Sequence, residues 1–489
     1  MSSDRPRVVI VGGGYSAAAL AVQLVRRTRV PIDITIIEPR AHLGRGLAYS
    51  ATDPEHRLNG PLDTHALDPD RPRELRAWCQ SQGLLEQDPE CFARSGHIFL
   101  RRGDFGKYLS DQLACYARDE RLGSRITHLR DVATSVVVRP DLSSVETADH
   151  GMVHAHVVVI ATGNSPPRLP FPFKPEHGDH PRVIAQPLDP GSLDIIAPDS
   201  RVLVVGAGLT AVDILSSFLR RGHYGALLAI SRRGLRPRSH TREIVEGVPG
   251  QPAPDLVQLE LNGPIPEFIA GQPAHARAWA RALRAEVRRQ QAAGQAWQVP
   301  FDSVRDVVWK LWPGLPVTEK QRFLRRLSPF YDVHRFRTPP MNDALVRQAE
   351  AEGRVRFAIA SIVEVEVVPD AAAIGVKLLE TQTGQQWHGR YDYVVNCTGL
   401  DHASTWRTNP VLRSLVQQKL LARHATGLGF EVSGNCEAID AAGAAQPTLR
   451  VIGPPTVGVF GDPLGAPFIA AQVQRMLPNL MHTLEDAVK

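Results

Sequence analysis

Two glycine-rich segments carry the clearest chemistry in this chain. Gly12-Gly13-Gly14-Tyr15-Ser16-Ala17 follows the apolar run Val8-Val9-Ile10-Val11, and Gly206-Ala207-Gly208-Leu209-Thr210-Ala211 follows Val202-Leu203-Val204-Val205. Both read G-x-G-x-x-A. The first glycine allows a tight turn, the second lets backbone approach a pyrophosphate, and the small last residue lets helix and strand pack closely. The helix that opens there offers unpaired N–H groups and a positive dipole end to phosphate. One such segment is a weak signal. Two, far apart in one chain, point to two dinucleotides and to electrons passing between them. Gly12, Gly14, Tyr15, Ser16 and Ala17 are the expected contacts of the first, and Gly206, Gly208 and Thr210 those of the second.

The residues after each fingerprint separate the two nucleotides. Ile32 to Ile37 reads as a strand ending at Glu38, an acid placed to accept hydrogen bonds from a ribose and to repel a 2′-phosphate, so this half suits FAD or NAD. The corresponding strand Ala226 to Ile230 runs instead into Ser231-Arg232-Arg233-Gly234. Arg232 and Arg233 can grip a 2′-phosphate, which favours NADPH over NADH, with a merely solvated basic loop as the alternative. Two further strands end in a small residue followed by Thr-Gly, at Thr162-Gly163 and Thr398-Gly399. Such turns let backbone pass close to a cofactor where the chain crosses between domains.

The elements that must position these residues imply an α/β fold with two Rossmann-type dinucleotide-binding domains, the second inserted in the first. At 489 residues the chain exceeds one ordinary core. The expected division is 1–170 for the first part of the FAD domain, 171–387 for the NAD(P) domain, and 388–489 for the remainder of the FAD domain. A helical insert over about 241–340 interrupts the middle segment, with helices expected over Ala274–Ala293, Asp302–Trp312 and Glu319–Leu327. It holds four of the seven tryptophans, Trp279, Trp297, Trp309 and Trp312, which either knit a helical subdomain or wall a flat pocket.

Composition narrows the class further. Hydrophobic and charged fractions of 43% and 22% are those of a globular protein, and the net charge of +5 is spread without basic blocks, so no nucleic-acid partner is expected. No apolar run is long enough for a membrane helix and no signal-peptide pattern precedes the first strand, which implies a cytoplasmic protein. Cys79, Cys91, Cys115, Cys397 and Cys436 form no C-x-x-C. That argues against a dithiol disulfide reductase and against a metal site.

Beyond the fingerprints, an ordered set of motifs resembles the FAD-NAD(P)-binding flavoprotein monooxygenases. Gly44-Arg45-Gly46-Leu47-Ala48-Tyr49-Ser50 with Leu58-Asn59 is similar to a G-x-G-L-A-Y…L-N signature, and Arg102 to Leu109 is similar to R-x-x-(Y/F)-G-x-Y-L. The segment Phe173 to His180 lacks the spacing used by ketone-to-ester monooxygenases, while Tyr331-Asp332-Val333-His334-Arg335-Phe336-Arg337 looks like a relative's W-x-x-H-R-H-R with two aromatic replacements. The resemblance spans essentially the whole chain and lies nearest a branch that hydroxylates urate in bacterial purine breakdown. It implies FAD reduced by NADPH or NADH, a flavin C4a-hydroperoxide formed with dioxygen, and a small-molecule substrate, with urate converted to 5-hydroxyisourate as the leading expectation. The alternatives are N-hydroxylation of an amine or amino acid, or a flavin reductase that oxygenates nothing. Arg335 and Arg45 are the expected cations for an anionic substrate, and His334 the expected base on a ring N–H. Asn59 is expected near the flavin, and Asp462, on a turn resembling the family's last flavin contact, is the expected ribityl ligand. A structural histidine, an ordinary salt bridge and an ordinary loop acid remain the alternatives at His334, Arg45 and Asp462. Oligomeric state is not readable from sequence.

Overall fold

The computed structural model describes residues 5–117, 123–139, 141–240, 259–368, 372–401, 403, 405–462 and 464–487. β1 (Arg7–Val11) leads through the first glycine turn into the helix Tyr15–Arg27, then β2 (Asp33–Ile37). After a long excursion containing the helix Arg102–Ala117, the chain returns as β3 (Arg125–Leu129). An antiparallel layer of β4 (Ala133–Val137), β5 (Ser143–Thr147) and β6 (Met152–Ala155) precedes β7 (Val157–Ile160). β1 and β7 are short runs of Val and Ile, buried almost throughout, as parallel strands covered on both faces must be, and residues of the antiparallel layer share their core.

The second sheet begins with β8 (Val183–Ile184) and β9 (Val202–Val205). The second glycine turn and the helix Leu209–Arg220 lead to β10 (Leu227–Ser231). The helical insert follows, and the sheet is completed by β11 (Val355–Glu366), β12 (Ile374–Glu380), β13 (Gln386–Tyr391) and β14 (Tyr393–Asn396). β15 (Glu437–Ile439) and β16 (Ala445–Val451) then rejoin the first sheet, and the helix Ala466–Asp486 closes the chain. Strand orders are β15-β16-β7-β1-β2-β3 and β13-β12-β11-β10-β9-β14-β8. β7 and β16 are parallel neighbours although the whole second sheet lies between them in sequence, so the second domain is inserted in the first.

Two expectations from sequence need adjustment. β13 and β14 belong to the second sheet, so the chain goes back to the first only after Asn396, later than residue 388. The crossing falls at the Thr398-Gly399 turn because that is where β14 ends. The helix expected over 302–312 is two pieces, Gln298–Asp306 and Val308–Leu311, broken at buried Val307 with φ −113° and ψ 15°. The other insert helices are Ala276–Ala292, Val317–Arg326 and Ser328–Arg335. Residues 241–258 of the expected insert lie outside the described residues.

Candidate functional site

The two glycine turns are built alike. Gly12 and Gly206 have φ of +101° and +117°, and a Cβ on either would lie 2.6 Å from the Ala161 carbonyl oxygen or 2.2 Å from that of Cys397. Those carbonyls belong to the residues just before Thr162-Gly163 and Thr398-Gly399, so each fingerprint packs on its own Thr-Gly turn. Gly14 and Gly208 differ: a Cβ would meet only the Gly46 Cα at 3.6 Å in the first case and nothing within 4 Å in the second. Each is the N-cap of its helix, makes no side-chain cap, and is followed by a first turn without acids. Uncapped N–H groups beside open space fit the pyrophosphate of a dinucleotide.

Around the first cradle, Glu38 is buried at the end of β2 and accepts hydrogen bonds from Gly13 N (2.8 Å) and Arg40 N (3.0 Å). The Thr162 hydroxyl is buried without a protein partner. Ala17 and Ser16 are buried, and Gly453 approaches Ser16 so closely that a Cβ would lie 2.4 Å from its Oγ. The Tyr15 side chain points into the core, donating to the Ala66 carbonyl at 2.7 Å, so only its backbone faces the turn. At the second cradle Thr210 and Gly399 line one small cleft. The Thr398 hydroxyl donates to Asn396 at 2.8 Å. Arg232 and Arg233 are exposed, with no ion-pair partner among the described residues.

A cavity of about 390 Å³ lies between the Tyr49 to Pro61 segment and the start of the last helix. Asn59, Gly60, His65, Arg102, Asp302, Arg305, Arg337 and Gly465 are among its walls. The helix N-terminus at Gly465 has no side-chain cap, so its dipole and four guanidiniums, counting Arg335, face a volume suited to a ring that gains negative charge on reduction. Burial pushes His65 down to about 4 and His240 to about 3, leaving both neutral.

A second cavity of about 900 Å³, partly open, lies between the insert helices and the segments at Leu428, Val457 and Gly461, and shares Arg335, Phe336 and Leu464 with the first. Its walls are aromatic and aliphatic, including Trp279, Leu283, Phe301, Leu311, Trp312, Phe323 and Leu327, and the exposed Arg238, Arg284 and Arg288 are its cationic members away from Arg335. Polar groups gather where the two cavities meet. Arg335 Nε donates to Asp462 Oδ2 at 2.7 Å, its guanidinium lying over the Phe336 and Phe468 rings at 4.5 and 4.9 Å. Arg335 Nη2, Asp462 Oδ1 and the Tyr331 hydroxyl are buried with no hydrogen-bond partner. Asp332 also lines the cavity there; burial, and then the Asp462 charge, push its carboxyl up to about 7 against the pull of Arg335.

The structure therefore brings His334, Arg335 and Asp462 to one site and leaves Arg45 elsewhere. Arg45 sits on the loop beside Gly14, bonded through Nε to Ser110 at 3.1 Å, and it lines neither cavity. Its loop is held there because Gly44, at φ +86°, lies against Leu109, where a Cβ would come within 2.7 Å. His334 Nδ1–H donates to the Phe330 carbonyl at 2.7 Å and the ring stacks on Phe301 at 4.7 Å. Burial lowers its pKa. Asp462, expected on the ribityl chain, is paired with Arg335 and keeps Oδ1 free. Asp302, Arg305, Asp332 and Arg337 were given no role from sequence. The motif at 331–337 was the one available signal, since an i, i+3 spacing puts Asp332 and Arg335 on one helix face.

Among the described residues there is no cluster suited to a metal, and no helix is long and apolar enough to cross a membrane. Residues 9–165 match the protein family described as FAD-NAD(P)-binding. No curated protein sequence matches the chain. The fold is similar to that of the ornithine N-hydroxylase of Kutzneria sp. 744, whose structure carries reduced FAD, NADP+ and L-ornithine, with a TM-score of 0.63 and 16% identity over 99% of each chain. It is similar to L-lysine 6-monooxygenase from Pseudomonas syringae, at 0.62 and 17% over 99% of each chain. Thioredoxin reductase from Lactococcus lactis aligns at 0.52 and 11% over 99% of this chain and 100% of its own. The chain thus has an FAD-NAD(P)-binding domain within the two-Rossmann α/β fold that flavin monooxygenases and reductases share.

Proposed function

We propose that the protein is an FAD-dependent, NADPH-consuming monooxygenase that hydroxylates the nitrogen of an amine: R–NH2 + O2 + NADPH + H+ → R–NHOH + H2O + NADP+. The observation that carries this reading is a large substrate-sized cavity that shares Arg335, Phe336 and Leu464 with the arginine-lined one. Similar folds in ornithine, lysine and cadaverine monooxygenases support it. FAD supplies oxygen activation and relays the hydride when bound. The protein's own share is binding and exclusion of water. Gly14 and Gly208 would admit the two pyrophosphates, Glu38 would hold the ribose of FAD, and Arg102, Arg305 and Arg337, which line the smaller cavity, would stabilise the charge of a flavin held there. The free Arg232 and Arg233 favour NADPH.

Urate draws less support. Where the cavities meet, the carboxyls of Asp332 and Asp462 outnumber the one guanidinium of Arg335, which opposes a monoanion. A plain reductase would have no use for the large cavity. The test is NADPH and NADH oxidation by the purified yellow protein with amines and with urate, scored for hydroxylamine, dioxygen uptake and peroxide. Amine-stimulated NADPH oxidation with one hydroxylamine per dioxygen supports the proposal. Stimulation by urate alone restores that substrate, and unstimulated turnover yielding only peroxide leaves a reductase.

A further inference from the structure

The large cavity is a poor home for a free amino acid. An α-carboxylate and α-ammonium both need buried partners, because a polar group left unpaired on burial costs more than its net contribution when bonded. Trp279, Leu283, Val287, Phe301, Leu311 and Phe323 offer mainly hydrocarbon, with the unpartnered Trp279 Nε1–H and the exposed Arg238, Arg284 and Arg288 as donors and no buried acceptor for an α-ammonium among them. At about 900 Å³ the volume lies near the top of the ~300–1,000 Å³ typical of small-molecule sites. Apart from the Trp279 Nε1–H, its buried polar atoms without a partner lie at the end it shares with the arginine-lined cavity. There no hydrogen bond reaches the Asp332 carboxylate from the described residues, and among them the Tyr331 hydroxyl and Asp462 Oδ1 are buried and unpartnered.

Building on the amine N-hydroxylase reading, we propose that the substrate is an apolar amine, its hydrocarbon body in the insert cavity and its nitrogen received by Asp332 at the junction with the flavin-side cavity. Asp332 and Asp462 Oδ1 accept N–H bonds from the incoming ammonium, and Arg335, fixed by Asp462 and by the Phe336 and Phe468 rings, keeps Asp462 in place. The Asp332 carboxylate then takes one ammonium proton, giving the carboxylic acid and a neutral amine with a free lone pair. That lone pair forms the N–O bond to one atom of dioxygen. The amine keeps its two remaining hydrogens as N–H and O–H, and the other oxygen atom leaves as water with the hydrogen and two electrons delivered by NADPH as hydride and the proton returned by Asp332, whose carboxylate is restored.

The experiment uses FAD-loaded enzyme with NADPH and a series of n-alkylamines from butyl to decyl, with L-ornithine and L-lysine alongside. Hydroxylamine formation is measured for each, and binding of matched n-alkanols is followed by flavin absorbance. The kcat/KM for amines should rise roughly fourfold per added methylene until the cavity fills, as expected from burying each CH2. Ornithine and lysine should fall at least about 100-fold below the best alkylamine, since away from the junction the walls hold cations for an α-carboxylate but no buried acceptor for the α-ammonium. Asp332→Asn should lower kcat/KM for the amines by at least about tenfold, the loss of one charge-assisted bond, and leave alkanol binding within about twofold. Asp332→Glu should restore part of the activity, and unchanged flavin content reports that both variants fold. Ornithine or lysine matching the long amines would overturn the apolar-substrate proposal while leaving amine hydroxylation intact. An inert Asp332→Asn substitution would overturn the placement of the nitrogen. Absence of hydroxylamine with every amine, including ornithine and lysine, would overturn the underlying N-hydroxylase reading and this proposal with it.

Discussion

Asp332 is the residue whose environment makes a pH-dependent statement possible. Its carboxyl is raised from 3.8 to about 7, first by burial and then by Asp462 across the site, with Arg335 on its own helix pulling the other way. Below pH 7 it is neutral and cannot pair with an ammonium; above pH 7 it is ionised, while an alkylamine stays protonated to about pH 10. We expect kcat/KM for an amine to rise through about pH 7, and the rise to disappear in Asp332→Asn. A midpoint near 4 would mean that Asp332 is an ordinary solvated acid. The same shift affects stability. The folded state binds the extra proton between about pH 4 and 7, so this group's contribution is lost as pH rises through 7. Asp332→Asn should therefore gain thermal stability relative to the parent above pH 7. His334→Gln should leave the kinetic midpoint in place, because the His334 Nδ1–H is spent on the Phe330 carbonyl and burial already holds the ring neutral.

At the scale of the strand-turn-helix element, the two glycines of each fingerprint do different work. Gly12→Ala and Gly206→Ala put a Cβ against a carbonyl oxygen at 2.6 and 2.2 Å, on backbone that L-residues rarely adopt. Both should lower the melting temperature and soluble yield. A Cβ in Gly14→Val meets only the Gly46 Cα at an ordinary 3.6 Å and one in Gly208→Val meets nothing within 4 Å, with extended N-cap backbone at φ −82° and −81°, so both should fold. Gly14→Val should be colourless. Gly208→Val should stay yellow, be reduced by dithionite, and be reduced poorly by NADPH. A yellow Gly14→Val protein would mean that the flavin lies elsewhere. These elements could be read from sequence because their signals are local: strand, turn and helix run without interruption from Arg7 to Arg27 and from Val202 to Arg220. The break at Val307 and the grouping of Asp302, Arg305 and Arg337 could not, since they arise where separate insert helices pack. The partner of Arg335 is likewise remote, Asp462 lying 127 residues further on in the chain.

For the molecule as a whole, the question is what fixes one nucleotide domain on the other closely enough for hydride transfer. The helix Leu209–Arg220, which begins at the second cradle, rests on the first domain through a short set of polar contacts. Asp213 Oδ2 lies 2.7 Å from Arg102 Nη2, with side chains 4% and 14% exposed. One turn on, Ser217 Oγ is 3.2 Å from His56 Nε2, and Arg221 pairs with Asp53 at 3.0 Å. Arg102 also walls the arginine-lined cavity, so the same cation touches the flavin side and the nucleotide helix. Removing one member of a buried ion pair leaves an uncompensated charge and costs about 3–5 kcal/mol, far more than loss of an exposed pair. Asp213→Ala should therefore lower the melting temperature clearly, whereas Glu90→Ala, which removes only the Arg220–Glu90 pair exposed on both sides, should scarcely move it. Because Asp213 touches neither cradle glycine, Asp213→Ala should keep its FAD and be reduced normally by dithionite. Its reduction by NADPH should slow at saturating nucleotide, since the helix that presents the second cradle has lost its anchor. A variant that melts earlier yet accepts hydride at the parental rate would show that the pair holds the domains together without setting the distance between the nucleotides.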